Sequence, residues 1–201
     1  MIEQRILTAF GAKTAFFDRG EYLFREGDTP RYYFQILSGA VKMNNFNDEG
    51  KEFIQGLFAS DDSFGEPPLF IEEKYPANAV AITDVTVFRL PKQRFMDLLM
   101  AHSDIHLGIT ANLAKRLYYK SIMASEISSQ EPEHRVLKLI DYFRTKVSNV
   151  PDNDRYMVEI TRQQIADLTG LRVETVIRSI KSLEKKGELS IVNRKVYREK
   201  K

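Results

Sequence analysis

From the N-terminus to about Leu90, apolar and polar positions alternate at close to period two over short stretches. Residues 32–37, 41–43, 53–57 and 80–90 carry many aromatic and β-branched side chains and predict strands. Between the segments fall Gly20, Gly27, Gly39, Gly50 and Gly65, and the polar pairs Asn44-Asn45 and Asn47-Asp48. Turn signals this frequent predict an antiparallel sandwich or barrel, because parallel strands need long crossover segments between them.

At Pro91 the period becomes helical. Proline suits a first helical turn, so Pro91 is expected to open a short helix reaching about Met100. A longer helix is expected over residues 103–128, with Ser103 as N-cap and Asp104 in the first turn. Along it Leu107, Ala111, Ala114, Tyr118 and Ser121 recur at helical spacing, and Ile109, Leu113 and Leu117 form an adjacent stripe. One stripe can pack on the sheet and the other on a second copy of the chain; a helix packed twice within one monomer is the alternative. The alanines and Gly108 allow close helix approach, which favours the dimer. After a polar break at Ser128-Ser129-Gln130-Glu131, Pro132 opens a helix with Val136, Ile140, Phe143 and Val147 on one face. Residues 148–155 read as a polar loop.

The most specific pattern lies at the C-terminal end. Thr161 and Gln164 have the spacing of a capping box, with Ile165 and Leu168 facing inward. Thr169-Gly170-Leu171 makes a tight turn, and Gly170 can supply a positive φ. The next helix is expected from about Val173 to Lys186, buried through Val176, Ile180 and Leu183. Glu174, Ile177, Arg178 and Lys181 then stand on its opposite face. Two helices joined this way match a helix-turn-helix, whose second helix meets base edges in the major groove. Arg178 can fork onto guanine O6 and N7, Glu174 can accept from a cytosine amino group, and Val173 and Ile177 can touch a thymine methyl. Gly187 ends the helix, and residues 189–192 with Val196-Tyr197 fold around Asn193-Arg194 as a two-stranded basic wing.

Charge supports this division. The 201 residues carry a net +2, but residues 161–201 hold 11 Lys/Arg against 5 Asp/Glu (+6), and residues 1–160 hold 19 against 23 (−4). An acidic body with a basic end suits a polyanionic partner; a solvated basic tail is the alternative. With 43% apolar and 29% charged residues the chain has the composition of a globular protein. No uninterrupted apolar run exceeds four residues, against roughly 20 needed to span a bilayer. The first ten residues carry Glu3 and Arg5 and no signal-peptide core, so a cytoplasmic location without membrane contact is expected. Cysteine is absent, which excludes disulfides, thiolate nucleophiles and cysteine-ligated clusters. The histidines (His102, His106, His134) are too few for most metal sites, and no metal is expected.

Taken together, these motifs resemble the cyclic AMP receptor protein/FNR family of bacterial transcription regulators, from about Phe16 to Arg198. The strongest match is the helix-turn-helix at residues 161–187 with its Glu174…Arg178 pair. GEYLFREGD (residues 20–28), FQILSGAVK (34–42) and FGEPPLF (64–70) are similar to the family's cyclic-nucleotide-binding β-roll. The resemblance implies an α+β fold: a β-roll (double-stranded β-helix or jelly roll) over residues 1–102, a dimerisation helix and hinge over 103–130, and a winged helix-turn-helix over 131–201. It implies a homodimer using Leu107, Ala111, Leu113, Ala114, Leu117 and Tyr118, an inverted-repeat DNA operator with TTGA-like half-sites, and RNA polymerase as a partner. Val173, Glu174, Ile177 and Arg178 would read bases; Thr161, Arg162, Gln163, Arg172, Thr175 and Lys181 would contact phosphates.

The effector pocket departs from the family. Members that bind cyclic AMP grip its phosphate with Arg-Ser about ten residues after Gly-Glu. Here Gly65 and Glu66 are followed by Pro76 and Ala77, which offer neither a cation nor a hydroxyl. Lys120 replaces a neutral residue expected near the adenine, and Ser121 is retained. A buried phosphate without a cation faces a cost of several kcal/mol, so cyclic AMP is not expected. Haem is not expected either, since no histidine lies in the predicted strands and His102 and His106 stand at the start of the long helix; no cofactor follows from the sequence. Two other classes fit the sequence less well. A cupin-like jelly-roll enzyme needs metal-ligating histidines that the predicted strands lack. A sensory or adaptor module with a vestigial DNA-binding domain sits poorly with an intact Glu174 and Arg178.

Overall fold

The computed structural model describes residues 2–128, 131–148, 150–151 and 153–200. The chain forms two compact units, residues 1–116 and 117–201. The division falls inside the long helix that begins at Ser103.

The first unit runs α1 (Gln4–Ala9), β1 (Lys13–Phe17), β2 (Tyr22–Phe24), β3 (Tyr32–Ser38), β4 (Val41–Phe46), β5 (Glu52–Phe58), β6 (Ser63–Phe64), α2 (Pro67–Ile71), β7 (Asn78–Ala81), β8 (Val85–Pro91), α3 (Lys92–Ala101) and the start of α4 (Ser103–Ser128). Two four-stranded antiparallel sheets result, ordered β1-β8-β3-β6 and β2-β7-β4-β5. Strand alternation makes β3 and β8 two-sided. Phe34, Ile36, Val85 and Val87 point into the roll with Phe24, Val41 and Ala79 of the other sheet. Tyr33, Phe88 and Leu90 point the other way, onto Leu7, Leu69, Phe95, Leu98 and Ile109 of the helices. A sheet covered on both faces reads as a near-continuous apolar run.

That run conceals a break. Residues 80–90, expected as one strand, belong to β7 and β8 in different sheets. The crossing is held by side chains that replace ladder bonds: Thr83 Oγ1 accepts from Ala40 N (3.0 Å) and Asp84 Oδ1 from Arg19 N (3.1 Å). Pro91 closes β8 and is the N-cap of α3, so the helix begins one residue later than expected. α1, β1 and β2 were not expected from the sequence. Buried Gln35 anchors the N-terminal segment, accepting from Ile2 N (3.2 Å) and donating to Ile2 O (2.9 Å).

The two stripes expected on α4 also need correction. Ile109 is buried and Leu113 half-buried against the helix-side core, so Leu113 does not belong to a free seam. Leu107, Ala111 and Ala114 are exposed. In the second unit Leu117 and Tyr118 are exposed as well, so Leu117 leaves the stripe of Ile109 and Leu113.

The second unit continues with α5 (Pro132–Tyr142), a π-helical turn (Phe143–Val147), β9 (Tyr156–Met157), α6 (Arg162–Thr169), α7 (Val173–Lys185), β10 (Leu189–Val192) and β11 (Lys195–Arg198). The polar break expected at Ser129-Gln130 and the side chains of Ser128 and Val147 lie outside the described residues. Val136, Leu139 and Ile140 of α5 meet Ile165 of α6 and Val176, Ile180 and Leu183 of α7 in one core. The expected two-stranded wing is part of a three-stranded antiparallel sheet, β10-β11-β9. Arg198, 1% exposed, fastens it: Nε lies 2.6 Å from Asp141 of α5, and Nη1 lies 2.6 Å from the Glu188 carboxylate and 2.8 Å from its carbonyl. Arg198→Met should cost about 2–4 kcal/mol, because two carboxylates lose a buried cation. Urea unfolding of the full chain should show an earlier transition in the C-terminal unit.

Candidate functional site

In the second unit the site is built on α6 and α7. Thr161 Oγ1 accepts from Gln164 N (3.1 Å) and Gln164 Oε1 from Thr161 N (2.8 Å), a complete capping box. The Thr161 hydroxyl hydrogen stays available at a helix N-terminus, where backbone N–H groups favour anions. Arg162 and Gln163 occupy the first turn; Gln163 Nε2 donates to buried Asp167 (2.8 Å), which steers that side chain along the helix. Gly170 ends α6 at φ 70°, a conformation costly for other residues. Arg172 then caps α7 with extended backbone and no side-chain bond.

α7 is fixed in rotation by its buried positions, Val176, Ser179, Ile180 and Leu183. Glu174, Arg178 and Lys181 are exposed and Ile177 is 36% exposed. Among the described residues no ion pair engages Arg172, Arg178 or Lys181; Arg178 Nη2 lies 3.5 Å from the Thr175 hydroxyl. Glu174 and Arg178 thus present an acceptor and a donor fork one helical turn apart, free to meet base edges. Val173, expected to offer apolar contact alone, is half-buried against the core. The wing turn places Asn193 and Arg194 at φ 49° and 65°, and Arg194 and Lys195 are exposed. Glu184 Oε1 accepts from Ile191 N (3.2 Å), tying the wing to α7.

In the first unit Gly65, Glu66 and Ala77 are buried and Pro76 is exposed. Lys120 and Ser121 belong to the second unit and are exposed; the Ser121 hydroxyl donates to Leu117 O (3.0 Å). Sequence reasoning missed the residue that answers Glu66. Arg116 Nη1 lies 3.1 Å from the Glu66 carboxylate, and Arg116 Nη2 donates to Ser63 O (2.6 Å). The Ser63 hydroxyl also donates to Glu66. Buried at 1% exposure, Glu66 is therefore charge-paired and hydrogen-bonded within the chain. A signal existed: Arg116 follows Ile109 and Leu113 at i, i+4, i+7, and a cation in a core stripe demands a buried carboxylate. Burial, with the Glu66 charge second, pushes the phenols of Tyr33 and Tyr75 up, so both remain neutral donors.

Among the described residues no group of three His, Asp or Glu could hold a metal, and no helix is long and apolar enough to cross a membrane. An antiparallel β-roll on the N-terminal side and a winged helix-turn-helix on the C-terminal side define a DNA-binding transcription regulator with a sensory-type domain. Comparison with known proteins agrees. Residues 14–102 match the cyclic nucleotide-binding domain and residues 134–198 the Crp-like helix-turn-helix domain. The chain belongs to the cyclic AMP receptor protein/FNR family of transcription regulators. It is 28% identical over 163 residues to the cAMP-activated global transcriptional regulator CRP of Haemophilus influenzae, covering 81% of this chain and 73% of that one. It is 26% identical over 183 residues to the global nitrogen regulator of Synechocystis, covering 90% and 81%. The fold matches that of the c-di-GMP-responsive global regulator CLP of Xanthomonas campestris, with a TM-score of 0.78, 22% identity and 98% of each chain covered.

The two helix caps give opposite expectations. Thr161→Ala should cost about 1 kcal/mol, because the capping box is lost. Arg172→Ser should stabilise the unit by up to about 1 kcal/mol, because an uncapped α7 gains a side-chain acceptor. Thermal melts of both variants check the signs.

Proposed function

We propose that the protein is a cytoplasmic homodimer that binds an inverted-repeat operator in a sequence-specific manner and acts with RNA polymerase. The observation that carries this reading is the exposed, unpaired Glu174–Arg178 face on a helix whose rotation is locked by its core. Arg178 donates to guanine O6 and N7, Glu174 accepts from a cytosine amino group, and Ile177 covers a thymine methyl. Half-buried Val173 adds only apolar contact, consistent with a TTGA-like half-site. Thr161, Arg162, Gln163, Arg172, Thr175 and Lys181 hold phosphates and set the register without reading sequence. Two copies joined along α4 would set half-site centres about one helical turn apart, roughly 34 Å.

The relatives include a regulator named for cyclic AMP and one named for c-di-GMP. For this chain cyclic AMP is disfavoured, because Pro76 and Ala77 supply no partner for a cyclic phosphate.

Three variants test the reading by fluorescence anisotropy. Arg178→Ala should lose about 1–3 kcal/mol per half-site and relax the preference at one guanine. Lys181→Ala should weaken binding evenly across sequences and lower the salt slope by about one. An Arg178→Ala protein with unchanged base preference would contradict the assignment of this face. Leu117, 68% exposed, belongs to the proposed dimer face, so Leu117→Glu should yield folded monomers with weak operator binding. Light scattering reads the state directly, and a wild-type monomer at micromolar concentration would sink the dimer.

A further inference from the structure

The interior of the β-roll beside Gly65 is lined by a cluster of this chain's own rings. Phe24 and Tyr75 lie face to face, centroids 3.6 Å apart and planes 7° from parallel. Phe64 stacks 6.1 Å from Phe24 and 5.4 Å from Phe34, and Phe58 stands 5.7 Å from Phe64. Gly65 backs directly onto the stack: a Cβ there would come within 3.0 Å of Phe24 and 3.2 Å of Tyr75. At φ 73° its backbone also sits in the left-handed region.

Tyr75 does not swing freely. Its backbone N–H donates to Asp28 O (3.0 Å) and its carbonyl accepts from Gly27 N (2.9 Å), which pins it to the turn after β2. Its phenol lies 3.5 Å from Tyr32 O. The following Pro76 carbonyl accepts from Asn45 Nδ2 (2.8 Å). At 3% exposure, Tyr75 is a core residue, immediately before exposed Pro76 and buried Ala77.

We infer that Tyr75, stacked on Phe24, occupies the seat beside Gly65 and Glu66, so that the β-roll is self-plugged and DNA binding needs no cyclic nucleotide. The inference rests on the regulator reading above and adds its mode of control. A nucleotide entering here would have to separate the stacked rings and compete with Arg116 for Glu66. It would also bury its phosphate against Pro76 and Ala77, where no cation compensates it. The binding-competent state is then set by folding, and its population does not depend on a cyclic nucleotide.

Full-length protein, with operator DNA enriched from a random pool, tests this with millimolar cyclic AMP and cyclic GMP as probes. Neither nucleotide should change the operator dissociation constant by more than about twofold, because neither distinguishes two states. Neither should raise the melting temperature. Tyr75→Ala should melt roughly 5–10 °C lower and gain a saturable rise with indole, because an emptied apolar cavity takes up planar molecules. Tyr75→Phe should behave as wild type, and Phe24→Leu substitutes for Tyr75→Ala if that variant does not fold.

Tightening of wild-type operator binding by about tenfold or more with either nucleotide would overturn the plug and leave the regulator reading standing. So would a nucleotide-dependent rise in the wild-type melting temperature, or cavity variants that take up no indole. A wild-type protein that enriches no DNA, yet shows no nucleotide response and gains indole binding in Tyr75→Ala, would refute the regulator reading while the plug stands.

Discussion

Val176, Ile180 and Leu183 set the rotation of α7 about its own axis, and with it the identity of every side chain offered to DNA. Each is at most 3% exposed and packs with Val136, Leu139, Ile140 and Ile165. Turning the helix by one residue would bring these three into water at a cost of about 5–9 kcal/mol. That is comparable to the whole stability of a small domain. Glu174, Ile177, Arg178 and Lys181 face outward because the opposite face has no alternative. Arg198, joining β11 to Asp141 and Glu188, holds the wing against the same core.

The β-roll solves a different problem with the same economy. A buried carboxylate at Glu66 is tolerable only with a cation and donors, and Arg116 and Ser63 supply both from within the first unit. Aromatic rings of the same core pack against Gly65. Glu66 thus has a complete set of partners without any ligand, and the sheets beside it carry a continuous core.

How much could be read from the chain varied with how local the physics is. α6 and α7 were legible, because a capping box and a 3.6-residue apolar stripe are properties of the helix itself. β1 was not. It pairs only with β8 at a sheet edge and leaves Phe16 61% exposed, so no apolar alternation marks it. The break between β7 and β8 was hidden because two-sided burial made the segment uniformly apolar, and the turn is closed by the distant Ala40 and Arg19. The outward placement of Glu174, Ile177, Arg178 and Lys181 followed from helical spacing, whereas the partial burial of Val173 did not. The Glu66 partner did not follow, since Arg116 lies 50 residues away in sequence. Leu113 and Leu117 were grouped by spacing, yet only Leu113 packs on the body's core.

Selection of bound DNA from a random pool by the purified full-length protein tests the central claim most directly. The account predicts enrichment of an inverted repeat whose half-sites each contain a G·C pair within a TGA-like core, with centres about one helical turn apart. Enrichment of a single unrepeated motif, or of none, would contradict it.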